Sequence, residues 1–306
     1  MNFTLKILGS GSAKPGIDRN QSAQVLDVHG RLFLIDCGES AQRQMMLNHI
    51  SIQKIDSIFI SHIHGDHVFG LMPLLSTMGM LGRTVALNIY APQSFGPILK
   101  FFLSYYGEGI AFEIRHIPLS MKSPEEIYHT KNLEIISFPL NHKIETFGFI
   151  FREKQAQWNV RKECISEYGL NLTEIGTLKR GEDVHREDGS VIPASEAAYI
   201  PHFPRSYAYC SDTAPFAELP SWIKGVDLLY HEATYSEKLL DQAVSRHHST
   251  ARQAAGTALS AGVGKLLIGH FSSRYKNADE LLNEARSVFE NTYAVSDGDT
   301  YEIPMK

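Results

Sequence analysis

The sequence predicts a layered α/β fold: short β-rich apolar runs recur along it, helical patterns alternate with them, and the alternation appears in two separate parts of the chain. FTLKILG (3–9), SAQVLDV (22–28), RLFLIDC (31–37) and SIFISH (57–62) concentrate β-branched and aromatic residues and read as strands. ESAQRQMML, VFGLMPLLSTMGML and SFGPILKFFLSYY space apolar residues three and four apart, as a helix does when one face packs on a sheet. After residue 205 the alternation returns as SYAYCSDT, VDLLYHEAT, a helix opening near Ser249, GKLLIGH, and a helix over 278–290. Ser249 or Thr250 is placed to cap the first of these helices, and Gly262 to end it.

With 306 residues, 43% of them hydrophobic, the chain can bury a large core. Residues 152–205 change character, with interspersed charges, Gly169, Gly176, Gly181 and Gly189, and a Pro/His/Arg-rich exit. A stretch far longer than an ordinary connection reads as an arm inserted into one domain spanning 1–306. The three cysteines (Cys37, Cys164, Cys210) form neither a disulfide ladder nor paired CxxC motifs, so a reducing, cytoplasmic setting is expected. The N-terminus lacks the pattern of a signal peptide, and no apolar run approaches the roughly 20 residues of a membrane span. A net charge of −5 argues against a general nucleic-acid binder, so RNA contact would need a local patch.

Histidine carries the chemical signal. Of 14 histidines, three fall in SHIHGDH, residues 61–67, between a strand and a helix. On an extended strand end the two-residue period sets His62 and His64 on one side, and Gly65 permits the turn that returns Asp66 and His67 toward the same point. His142, Asp212 and His270 each follow a predicted strand, and strand carboxyl ends form the usual ligand crevice of α/β sheets. Imidazole and carboxylate ligands without cysteine suit catalytic rather than closed structural zinc. The glycines of GSGSAKPG do not make a dinucleotide loop, because Lys14 takes the last glycine position of GxGxxG.

HxHxDH followed by later His, Asp and His residues resembles metallo-β-lactamase-fold hydrolases along nearly the whole chain. LIDCGE (34–39), SDT (211–213), HEAT (231–234), HST (248–250) and GHFSSRY (269–275) resemble, within that superfamily, tRNase Z (ribonuclease Z), the tRNA 3′-end endonuclease. The resemblance implies an αββα sandwich and two Zn2+ per subunit, with Mn2+ or Fe2+ able to use the same ligands. His62, His64 and His142 would hold one ion, Asp66, His67 and His270 the other, and Asp212 would bridge them. Asp36 would stand behind the cluster, or be an ordinary strand-end aspartate. It further implies removal of the 3′ trailer from precursor tRNA by metal-activated hydroxide, with His248 as general acid, Glu232 orienting it and Asp66 holding the water.

In that family an arm grips the tRNA, which makes 152–205 the expected exosite and Arg161, Lys162, Lys179 and Arg180 its expected RNA contacts. Acidic residues nearly balance these cations. Arg19, Asn20 and Arg274 are further expected RNA contacts. The loop PGIDRN (15–20) resembles the family's PxKxRN loop with Ile17 in place of lysine. A homodimer is implied by resemblance only. The alternatives are a phosphodiesterase or exonuclease of the same fold acting on small or unstructured substrates, and a non-catalytic relative, against which the full ligand set argues. His64, where a redox diiron relative would carry glutamate, argues against that chemistry.

Overall fold

In the strand Phe3–Gly9, Phe3, Leu5 and Ile7 are buried while Thr4 and Lys6 stay partly exposed, the two-residue period of a strand covered unequally on its faces. The computed structural model describes residues 2–305. That strand belongs to a seven-stranded sheet in the order Thr300–Glu302, Phe3–Gly9, Ala23–Val28, Arg31–Cys37, Ile55–Phe59, Leu87–Pro92, Ile114–Leu119. The N-terminal strands pair antiparallel, and pairing becomes parallel from Arg31–Cys37 onward. A second seven-stranded sheet runs Thr292–Ala294, Lys265–Gly269, Leu228–Glu232, Ser206–Cys210, Phe147–Glu153, Leu133–Pro139, Glu125–His129.

Between the sheets lies an aromatic layer. Phe59 meets Phe149 at 5.4 Å and Phe151 at 5.3 Å between ring centroids, and stacks on Tyr90 at 4.8 Å. Phe33 meets Phe151 at 5.7 Å. The outer faces are covered by helices, as the helical patterns require. Leu74, Leu75 and Met78 of Leu71–Met80, with Phe95 and Leu99 of Phe95–Tyr106, pack on Ile58 and Ile89 of the first sheet. Ala254, Ala255 and Ala258 of Ala251–Ala261, with Leu281 of Asp279–Arg286, cover Ala208, Leu229 and Ile268 of the second. Helix, sheet, sheet, helix is the αββα sandwich that the sequence resemblance implied.

Three elements differ from their sequence reading. The helix expected from Val68 divides into Gly65–Val68 and Leu71–Met80 because Gly70 is pinned to the turn after Cys37: its N–H donates to Cys37 O at 2.9 Å, and a Cβ there would lie 2.0 Å from Gly38 O. The ladder of SIFISH ends at Phe59, and Ser61 and His62 leave it toward a side-chain cluster. The helix expected over 278–290 is Asp279–Arg286, after which the chain turns into the edge strand Thr292–Ala294. Of the two candidate caps, Thr250 is the one used, in a reciprocal capping box with Gln253, and Gly262 closes that helix in the left-handed region.

The residues fall into two compact units. The larger, which holds both helix layers and the site described below, comprises the chain up to Tyr128, Ile135–Phe151 and Ser206–Ile303. The smaller comprises His129–Glu134, Arg152–Arg205 and the C-terminal residues from Pro304. It has a core of its own around Leu178, Ile192 and Ala197, helices Lys162–Glu167 and Leu172–Lys179, and a buried ion pair in which Arg205 Nη2 lies 2.7 Å from Glu153 Oε1.

Truncating Phe59 removes a ring that touches both sheets. Phe59→Ala should lower unfolding free energy by about 3–5 kcal/mol in urea denaturation, with an unchanged slope; a loss below 1 kcal/mol would show that the aromatic layer does not hold the sheets together.

Candidate active site

Each side chain that the sequence marked as a ligand leaves from the carboxyl end of a strand. His62 and His64 follow Ile55–Phe59, and the turn into Gly65–Val68 adds Asp66 and His67. His142 follows Leu133–Pro139, Asp212 follows Ser206–Cys210, and His270 follows Lys265–Gly269. The structure brings all seven together. Inward-facing atoms of His62, His64, His142 and Asp212 lie within 4.8 Å of one another, as do those of Asp66, His67 and His270. Asp212 faces both sets: Oδ2 is 3.5 Å from His62 Nε2 and 3.9 Å from His142 Nε2, while Oδ1 is 3.6 Å from His67 Nε2 and 3.2 Å from His270 Nε2.

Hydrogen bonds on the outer side of the rings assign their tautomers. Nδ1 of His62, His67, His142 and His270 meets Ser61 Oγ at 3.0 Å, Asp36 Oδ2 at 2.7 Å, the His247 carbonyl at 2.8 Å and Thr234 Oγ1 at 2.8 Å. Ser61 Oγ and Thr234 Oγ1 donate their own protons to Asp36 and Glu232, so they accept from the rings. In its neutral form each ring therefore turns a proton-free Nε2 into the cluster. Two of the atoms there, His142 Nε2 and Asp212 Oδ1, are buried without any hydrogen-bond partner. Convergent lone pairs and carboxylate oxygens are what a cation satisfies, so the residues fit divalent metal.

Without a cation the cluster competes for protons. Burial alone lowers His67, but Asp66, Asp212 and Asp36 raise it to about 10. Burial would raise the Asp66 carboxyl, yet His67, His270 and the Ala13 amide, 2.7 Å from its Oδ2, hold it well below the usual range. Asp36 is the hub behind the ligands. Fully buried, it accepts from Ser61 N at 2.7 Å, Ser61 Oγ at 2.8 Å, His67 Nδ1 and Tyr209 OH at 2.6 Å. Its φ of 54° places a non-glycine residue in the left-handed region, as does the 59° of His270. Such strain persists where surrounding contacts over-determine the backbone.

Beside the cluster, His248 Nδ1 lies 2.9 Å from Glu232 Oε1. Glu232 is fully buried and takes four further bonds, from the amides of Thr213, Ser249 and Thr234 and from Thr234 Oγ1. Burial pushes its carboxyl up, but the charge and hydrogen bond of His248, the His270 charge and the Thr234 hydroxyl bring it down to about 2. Burial lowers His248, and the charges of Glu232 and Asp212 outweigh that, lifting it to about 9. The ring therefore lines the groove over the cluster as a proton carrier fixed at one nitrogen.

Sequence and structure comparisons identify the family. A family model described as Anti-Pycsar protein Apyc1 matches residues 3–156. Ribonuclease Z of Bacteroides fragilis is 40% identical over 290 residues, covering 95% of this chain and 95% of its own. The chain belongs to the ribonuclease Z family. Human tRNase Z, short form (TM-score 0.71, 23% identity, 98% of this chain and 99% of that one), and the metallo-β-lactamase-fold protein YhfI of Bacillus subtilis (TM-score 0.69, 18% identity, 99% and 100%) share the fold.

The residues marked for RNA contact have varied settings in this member of the ribonuclease Z family. Arg19 stacks over Phe271 at 4.9 Å and donates to the Tyr275 carbonyl, and Asn20 gives its side-chain amide to Asp297 at 2.8 Å, so both hold the 15–20 loop. Arg274 lines the groove, with its guanidinium over Tyr235 and Nη1 bonded to Gln242. In the smaller unit, Arg161, Lys162 and Lys179 line one groove with Tyr199, whereas Arg180 pairs with Glu182 at 2.8 Å. Asp297, the His247 carbonyl, the Ala13 amide, Thr234 and Ser61 escaped sequence reading. Only Thr234, inside HEAT, and Ser61, beside the HxHxDH run, sat within a recognisable signal.

Two measurements test the cluster. Asp36→Asn should weaken zinc binding roughly 10–100-fold in a competitive metal titration, since the His67 orienting bond is lost; unchanged affinity would remove Asp36 from the site. Metal must displace the His67 proton. Because that group lies above its ordinary value, apparent metal affinity should fall roughly tenfold for each pH unit below about 10 for this one proton. Affinity independent of pH between 6 and 8 would contradict the assignment.

Proposed function

We propose that this chain removes the 3′ trailer from precursor tRNA as a metal-dependent endoribonuclease, cutting the P–O3′ bond. The observation that carries the reading is the 2.9 Å His248–Glu232 pair set beside the seven-ligand cluster. Two Zn2+ ions are the proposed cofactor: His62, His64 and His142 would hold one, Asp66, His67 and His270 the other, with Asp212 reaching both. When bound, they would activate water and stabilise charge on the phosphate. Mn2+ or Fe2+ suits the same donors.

This chain's residues do the rest. Asp66, kept ionised, accepts a proton from the attacking water or holds it in line. His248 carries the proton that the departing O3′ needs, and general-acid help of this kind is typically worth 10²–10⁴-fold. Glu232 fixes which nitrogen faces the groove and keeps the ring protonated. Backbone strain at Asp36 and His270 supports a pre-set geometry that substrate need not organise.

Residues 152–205 are the proposed tRNA exosite, with Arg161, Lys162 and Lys179 offering cations along one groove for phosphates and Arg180 drawn toward Glu182. A homodimer is proposed as well. Met72, Pro73, Ile98, Phe101, Phe102 and Tyr106 line an apolar surface groove of about 450 Å3, of the kind a second copy covers. No helix among the described residues is long and apolar enough to cross a membrane; a cytoplasmic setting is the one in which precursor tRNA is met.

Metal-loaded protein should cut a 3′-extended precursor tRNA next to the discriminator base; turnover of a small chromogenic phosphodiester alone would transfer the assignment to a general phosphodiesterase. His248→Ala should lower kcat 10²–10⁴-fold with metal content unchanged, and loss of metal would recast His248 as a ligand. Glu232→Gln removes the charge that raises His248. The alkaline limb of the pH–rate profile, where the acid form is lost, should therefore move to lower pH. A bound dication would act on Asp212 in both proteins alike, so a stationary limb would exclude His248 as the acid. Deleting 152–205 should abolish precursor cleavage and spare the small ester; equal loss of both would refute the exosite.

A further inference from the structure

The groove over the cluster contains one large apolar side chain that the chemistry above leaves unused. Phe69 lines it beside His64, Gly65, Asp66, Asp212 and His248, and is 68% exposed. It belongs to no aromatic pair among the described residues, and it lies outside the apolar groove of Phe101 and Tyr106. Its position is fixed from both sides. The Phe69 amide donates to Gly65 O at 2.9 Å, and the next residue is Gly70, held against Cys37 O. A Cβ at residue 65 would stand 2.2 Å from Phe69 Cε2, so the ring occupies the space that a bare glycine leaves between the ligands His64 and Asp66.

We propose that Phe69 is a stacking platform for the base of the first trailer nucleotide, the one immediately 3′ of the cut. This rests on the reading above, in which His248 protonates the O3′ leaving oxygen. The nucleotide bearing that oxygen then lies at His248. The ring at Gly65, carried by a different element and set between His64 and Asp66, serves the nucleotide on the other side of the phosphate. A flat apolar ring with one exposed side offers no hydrogen bond to select a base, while every base presents a π-face to it. Stacking of this kind adds affinity without sequence preference, which suits a segment whose sequence differs from one transcript to the next.

The test uses metal-loaded full-length protein and 3′-extended precursor tRNA. Phe69→Ala should lower kcat/KM roughly 5–100-fold, chiefly through KM, with Phe69→Trp close to wild type. An abasic residue at the first trailer position should bring wild type to the level of Phe69→Ala and leave that variant unchanged. An abasic discriminator position should leave the ratio between the two proteins intact. As a binding readout, 2-aminopurine at the first trailer position should lose fluorescence on mixing with His248→Ala protein, in which turnover is slowed, but not with the variant that also carries Phe69→Ala. Precursor cleavage that is normal in Phe69→Ala, or a defect that tracks the discriminator base, overturns the platform while leaving the activity standing. Failure of the wild-type protein to cut precursor tRNA at all overturns the activity first.

Discussion

Lone pairs of the same sign do not gather in a protein interior unless something forces them to. Here the inward nitrogens of four imidazoles, with carboxylate oxygens of Asp66 and Asp212, converge at the strand ends. The arrangement survives because the outer nitrogen of each of those rings is committed elsewhere, to Ser61, Asp36, the His247 carbonyl or Thr234. Breaking one of those outward bonds would free a ring to turn its proton inward. The inner geometry is thus maintained by partners that never face the groove.

Those partners explain why the sandwich must be closed tightly at this end. Asp36 accepts hydrogen bonds from Tyr209 of the second sheet and from Ser61 and His67, which follow a strand of the first, so one carboxylate ties the two sheets together beneath the cluster. Gly38 and Gly70 allow the turn after Asp36 to approach the HxHxDH loop, since a Cβ at Gly38 would lie 2.8 Å from Asp66 O and one at Gly70 2.0 Å from Gly38 O. Aromatic packing around Phe59 and Phe33 keeps the sheets in register with this contact. Burial, backbone strain and proton inventory serve the same cluster.

Glu232 plays the corresponding part for His248. Five donors saturate its oxygens, so its charge is held in place and directed at one imidazole. His248 differs in sign from His62: burial and neighbouring imidazoles make His62 hard to protonate, whereas Glu232 and Asp212 keep a proton on His248. One groove thereby holds an imidazole that stays free of a proton beside one that keeps it, the separation that the proposed cut of a phosphodiester would use.

The sequence by itself determined the class of fold and which imidazole and carboxylate side chains would converge. HxHxDH between a strand and a helix is legible because its residues are neighbours in the chain, and His142, Asp212 and His270 were legible because each follows an apolar run. Strands such as Leu87–Pro92 and Thr300–Glu302 were not read, being short or without regular alternation and held by their neighbours in the sheet. Only the tertiary structure decided that Asp36 lies behind His67 rather than ending a strand idly, that Arg19 and Asn20 bond within reach of their own loop, and that a backbone carbonyl at His247 orients His142. Those roles come from backbone groups or from contacts between residues tens to hundreds of positions apart, and a hydrogen bond between atoms so distant in the chain leaves no periodic trace in it.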